Sequence, residues 1–234
     1  MADEQLFSNP DDERAYLEFC ENQEQVEKFQ LDKPALVCRW RMANKRVPML
    51  NRHIRALSLR MVQGKPLTTN MLSWAKQHVE WSLEAGDFTA VNGVLMMVVD
   101  INGNAAMTVG EYEPLADTTV AGLRDRAQRA QDEAAQTGVA PELLASVAGG
   151  VLSLAAPKNQ HLCGTATLVQ QLAQARKLEV DRTDDPALLE GALFLISDEH
   201  GVVAAADNDS AEPSETETVS FFAQGYEKLR RRRR

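Results

Sequence analysis

The sequence predicts an α+β protein built of two small mixed α/β layers, and three observations lead there. Val94 to Val99 is an uncharged apolar run, apolar on both faces as a central buried strand must be. Residues 70–85 and 118–138 place their apolar side chains on helical stripes, the mark of helices with one buried face. Cys163 to Leu229 then reads as turn, helix, apolar strand, tight turn, return strand and last helix.

At 234 residues the chain suits one domain or two small ones. Its 44% hydrophobic content supports a sizeable core without a metal or disulfide. A net charge of −9 argues against wholesale nucleic-acid binding. Cys20, Cys38 and Cys163 form no CxxC pair, so no structural zinc site is expected. Such sparse thiols fit a reducing cytoplasm. The acidic start, Met1 to Gln5, lacks the order of a signal peptide. No apolar run approaches the ~20 residues of a membrane span.

Residues 11–31 are acidic and loosely helical, and Pro34 ends that stretch. Ala35 to Met42 reads as a strand, followed by a turn at 43–45 and a second piece to Leu50. Residues 51–63 read as a helix closed by Gly64. Thr68 or Thr69 caps the helix over 70–85. The Asn102-Gly103 turn joins Val94–Val99 to a strand over 105–112, a hairpin pattern. Residues 118–138 form a helix. Residues 141–147 fit helix or strand, and Gly149-Gly150 turns into a strand over 151–155. The remaining expectations are a helix over 165–176, a strand over 178–181 and a helical turn over 184–190. A strand over 192–197, a turn at 198–201 and a return strand over 202–206 follow. Asp207 to Glu217 reads as a polar loop, and Thr218 to Leu229 as the last helix. The division expected is 1–116, 117–229 and an arginine tail over 230–234. That tail is the one stretch suited to acidic surfaces or RNA.

Gly164-Thr165 opening a helix is a ready anion site, because free backbone N–H groups point out of a helix start. His161 lies beside Cys163, yet a packed, inert thiol is the better reading. His53, His78, His161 and His200 share no metal-binding spacing. Asp198-Glu199, with Asp207 and Asp209, lacks the EF-hand pattern and reads as a solvated turn.

Four stretches, in order, resemble the class IV pyridoxal-phosphate enzymes: branched-chain and D-amino-acid aminotransferases and aminodeoxychorismate lyase. They are Arg39 to Leu57, Asn92 to Val99, Gln131 to Leu144, and Cys163 to Leu229. The last carries Thr165, Leu172-Ala173, Phe194-Leu195 and Tyr226 at the family's landmarks. The resemblance implies pyridoxal phosphate cradled by Gly164, Thr165 and Ala166, a small amino compound as substrate, and a homodimer. The departures are as informative. The family's Schiff-base lysine falls near Val120, its phosphate-binding arginine at Ala56 with Arg55 one place away, and its ring-nitrogen acid near Ser153. In a second register Lys158 would be the nucleophile. Loss of lysine, arginine and acid together favours a degenerate member that binds no cofactor and serves as a binding or interaction protein. The alternative is a divergent aminotransferase or lyase using Lys158.

Overall fold

The computed structural model describes residues 34–62, 64–85, 90–100, 104–137 and 140–231. The helix expected over 11–31 and the arginines at 232–234 lie outside these residues.

The N-terminal half is built on a three-stranded antiparallel sheet. Its strands are β1 (Pro34–Met42), β4 (Gly93–Asp100) and β5 (Ala105–Gly110), in the order β1-β4-β5. Between β1 and β4 come α1 (Leu50–Leu57), a small hairpin of β2 (Met61–Val62) and β3 (Lys65–Pro66), and α2 (Thr69–Ala85). Leu36, Cys38, Trp40 and Met42 alternate along β1 and share a face with Leu95, Met97 and Val99 of β4. That face packs on Leu57 of α1 and on Ala75, Val79 and Leu83 of α2. The opposite face carries Val37, Met96 and Val98. Both faces of β4 are covered, which is why its sequence shows no alternation.

The C-terminal half is a five-stranded sheet flanked by three helices. Its elements are α3 (Val120–Thr137), β6 (Leu143–Ala148), β7 (Val151–Ala155), α4 (Gly164–Ala175), β8 (Glu179–Thr183), β9 (Ala192–Ser197), β10 (Gly201–Ala204) and α5 (Pro213–Arg231). The strand order is β10-β9-β6-β7-β8. Only β7 and β8 run parallel, as the α4 crossover between them requires. One face, with Leu152, Leu154, Phe194 and Ile196, packs on α4 and α5. The other, with Leu144, Leu193 and Leu195, receives Leu123 and Ala127 of α3. Further along α3, Ala134 meets Val37 and Val98, and Glu133 pairs with Arg39 of β1. Helix α3 is thus wedged between the two sheets.

The mixed α+β layers follow the sequence pattern, with local corrections. The helix expected to Gly64 ends at Leu57, because Met61 and Val62 pair with Pro66 and Lys65 around the left-handed Gly64. The second strand piece expected before Leu50 is a single bridge, Ala43 with Arg46, followed by a turn. The undecided stretch 141–147 is strand from Leu143, and its side chains are buried on both faces. The polar loop expected to Glu217 stops at Glu212. Pro213 opens α5, and Glu215 accepts a hydrogen bond from the Glu212 N–H at 3.1 Å, a helix start that sequence periodicity did not reveal. Arg230 and Arg231 belong to that helix and bond Glu227 rather than beginning a free tail.

The β9–β10 turn is set by Gly201, at φ +80°. A Cβ there would lie 2.3 Å from the Tyr226 ring. We expect Gly201→Ala to cost at least about 1–3 kcal/mol from backbone strain alone, measured by denaturant unfolding.

Candidate functional site

A cleft of about 50 Å³ lies where β1, α1, α3 and the β9–β10 turn meet. The start of α4 adjoins it through Cys163, which lines it. Cys163, the residue before that helix, makes no side-chain cap. The cap comes from Asp198, far along the chain. The Thr165 N–H donates to Asp198 Oδ1 at 2.8 Å and the Gly164 N–H to Oδ2 at 3.3 Å. His53 Nδ1 lies 3.2 Å from Oδ2. The Trp40 ring stacks on His53, with centroids 5.3 Å apart and planes 20° apart. The Arg41 N–H donates to the Asp198 carbonyl at 3.0 Å. Only glycine fits at 164, because a Cβ would sit 2.5 Å from His53 Nδ1.

The Asp198 side chain is only 10% exposed. Burial pushes its carboxyl up, but attraction to His53 and hydrogen bonds from Thr165 outweigh that and hold it at about 2. It is therefore an anion at neutral pH, seated where the helix dipole and free amides favour one.

A second network forms the facing wall. Ser197 Oγ donates to buried Glu142 at 2.8 Å and accepts the Glu199 and His200 N–H groups at 3.0 Å each. Arg126 pairs with Glu142. Burial raises Glu199 and lowers His200. Carboxylate and ring atoms of Glu142, Glu199 and His200 lie within 4.8 Å of one another, but the Arg126 guanidinium already neutralises Glu142. The thiols are inert. Burial pushes Cys38 up to about 12 and Cys163 well above its ordinary value, so neither is a thiolate at neutral pH.

The candidates named from sequence fall unevenly around this cleft. Gly164, Thr165 and Ala166 are buried at the start of α4, and the first two give their amides to Asp198. Ala56 lines the cleft. Arg55 is exposed on α1. Lys158 is exposed in the turn after β7, and its carbonyl accepts Arg182 at 3.1 Å. Val120 and Leu123 fill the space between α3 and the five-stranded sheet, not the cleft. Asp198 overturns the solvated-turn reading, and His53 is buried with it by contacts that only the tertiary fold creates. Arg60 was missed as well. It lines the cleft just beyond α1, where burial lowers it and the ionised Asp198 carboxylate raises it. A lone arginine after a helix carries no sequence signal for such a place.

No protein-family model matches the sequence, and no curated protein matches it. Solved structures do. A hypothetical aminotransferase from Mycobacterium tuberculosis, in its apo form, superposes with a TM-score of 0.59 at 12% identity, over 88% of this chain and 94% of that one. The same protein in its PLP-bound form gives 0.56 at 10%, over the same shares. A protein from Legionella pneumophila assigned as 4-amino-4-deoxychorismate lyase gives 0.55 at 13%, over 87% and 97%. A fold IV transaminase from Curtobacterium pusillum gives 0.52 at 13%, over 83% of each chain. The chain has the fold of the class IV aminotransferases and aminodeoxychorismate lyases.

That fold implies pyridoxal phosphate, and the residues present do not fit it. The amides that would cradle its phosphate are bonded to an ionised carboxylate. Among the described residues no lysine lines the cleft. The cleft is also too small for a phosphorylated pyridine ring, at about 50 Å³ against the roughly 300–1,000 Å³ of pockets that bury drug-sized ligands.

Two outcomes follow. Gly164→Ala should displace His53 and destabilise the protein by about 1–3 kcal/mol, as overpacking does, read from its denaturant midpoint. The depressed Asp198 value gives stability that is fully present above the unfolded carboxyl value and is lost as pH falls through about 2. The unfolding free-energy gap between the native chain and Asp198→Asn should therefore hold steady down to about pH 5 and shrink by about 2 kcal/mol below it.

Proposed function

We propose that this chain is a degenerate class IV aminotransferase-like protein that works without catalysis, as a binding or interaction protein. The observation that supports this most is the cleft itself. Among the described residues no lysine lines it, and the anion-binding amides of the adjoining helix start are already bonded to Asp198. The family's lysine, arginine and acid each perform a separate task, so losing all three removes the chemistry and leaves the fold.

The ligand class offered to this cleft is a small amino compound. Among the described residues Arg60 has no ion-pair partner, and a guanidinium is suited to a carboxylate. Glu199 on the opposite wall is suited to an ammonium group. The partner proposed for the surface is a second copy of the chain. Trp74 and Trp81, two helical turns apart on α2, are 40% and 75% exposed, and His78 between them stacks on Trp74 at 4.7 Å. This stripe lies on a different side of α2 from buried Ala75, Val79 and Leu83. Among the described residues no helix is long and apolar enough to cross a membrane. The free buried thiols Cys38 and Cys163 support a reducing, cytoplasmic setting.

The shared fold favours one other reading, a divergent pyridoxal-phosphate enzyme with Lys158 as nucleophile. Titrating pyridoxal phosphate into the purified protein separates the two. We expect no visible absorption band of a lysine-bound cofactor at saturation. A band that disappears in Lys158→Ala would restore the enzyme. In sedimentation velocity we expect a dimer that Trp81→Glu converts to monomer.

A further inference from the structure

We propose that Asp198 is a built-in substitute for a bound oxyanion. It closes a latent phosphate site at the start of α4 that removal of its carboxylate would open. This deepens the reading of a cofactor-free cleft and rests on it.

The geometry has every part of an oxyanion site except the free anion. Two successive amides, of Gly164 and Thr165, converge on the two carboxylate oxygens. His53 Nδ1 stands at 3.2 Å and is held flat by Trp40. The Thr165 hydroxyl, beside the same carboxylate, is fully buried and makes no well-aligned hydrogen bond. His53 Nδ1 is buried and likewise lacks a well-aligned hydrogen bond. Two oxygens therefore serve a cradle whose donors outnumber them. A tetrahedral oxyanion brings more acceptor oxygens than a carboxylate, which is what these unused groups would meet. Arg60, whose electrostatic neighbours include Asp198 and no other ionised carboxylate, adds a cation at the same end of the cleft.

The carboxylate is placed there by the chain's own path. Asp198 follows β9 directly, and its carbonyl accepts the Arg41 N–H. Gly201 and the Ser197 hydroxyl shape the rest of the turn. The backbone thus fixes the side chain against α4. An intramolecular anion needs no binding partner and cannot be diluted, so free phosphate in solution does not compete with it.

The test uses inorganic phosphate as the probe, with chloride at matched ionic strength as the control. Asp198→Gly deletes the carboxylate. Asp198→Ser is a second variant that keeps a short polar side chain in the turn. Binding is measured by calorimetry and stability by thermal melting. The native chain should show no binding and no shift in midpoint. The variants should melt lower in chloride, and phosphate should raise their midpoints. They should bind phosphate at least tenfold more tightly than the native chain, and adding Arg60→Ala should weaken that binding tenfold. If neither variant folds in chloride, recovery on refolding in phosphate is the supporting result, and equal failure in both salts overturns the proposal. It is also overturned if a folded variant ignores phosphate, or if the native chain binds it as tightly as the variants do. The pyridoxal-phosphate titration of the native chain is read separately, so a failure here leaves that result standing.

Discussion

The contact between the Asp198 carboxylate and the first amides of α4 is the interaction on which the rest of the site depends. Four parts of the chain meet there. The β9–β10 turn supplies the acid, α4 the donors, α1 the His53 ring, and β1 both the stacking Trp40 and the N–H that holds the turn's backbone. A carboxylate at a helix start is favoured by the unsatisfied N–H groups and by the dipole. Here it also ties the N-terminal sheet to the C-terminal one. Glycine at 164 is the geometric condition, because any side chain there would push His53 out of the contact.

Helix α3 provides the second tie. It buries Leu123 and Ala127 against the five-stranded sheet and places Ala134 against the three-stranded one. Its polar side reaches both halves through Arg126 to Glu142 and Glu133 to Arg39. These pairs lie along the cleft wall, where partial burial strengthens them beyond ordinary surface ion pairs. The cleft is thus lined by charges that already answer one another. Arg60 lines the same cleft, and Asp198 is the ionised carboxylate that acts on it.

The fold was largely legible and the site largely was not. Val94–Val99 announced a strand covered on both faces. The stripes of α2 and α3 announced their buried sides. The Gly164-Thr165 turn announced an anion-binding helix start, and the structure puts an anion on it. What remained hidden was the anion's origin. Asp198 sits beside Glu199 in an acidic turn, and that local pattern is the same whether the turn is solvated or buried. The cap that the Glu215 side chain gives the Glu212 N–H was similarly hidden within a polar stretch. His53 and Arg60 read as ordinary polar residues of one helix.

The sequence by itself determined most of the secondary structure and the mixed α+β character, because periodicity, glycine turns and residue identity are local quantities. Only the tertiary structure decided what fills the anion site. That choice depends on a contact between residues 34 positions apart, and on burial that raises the cost of any unpaired charge. No local pattern encodes either one.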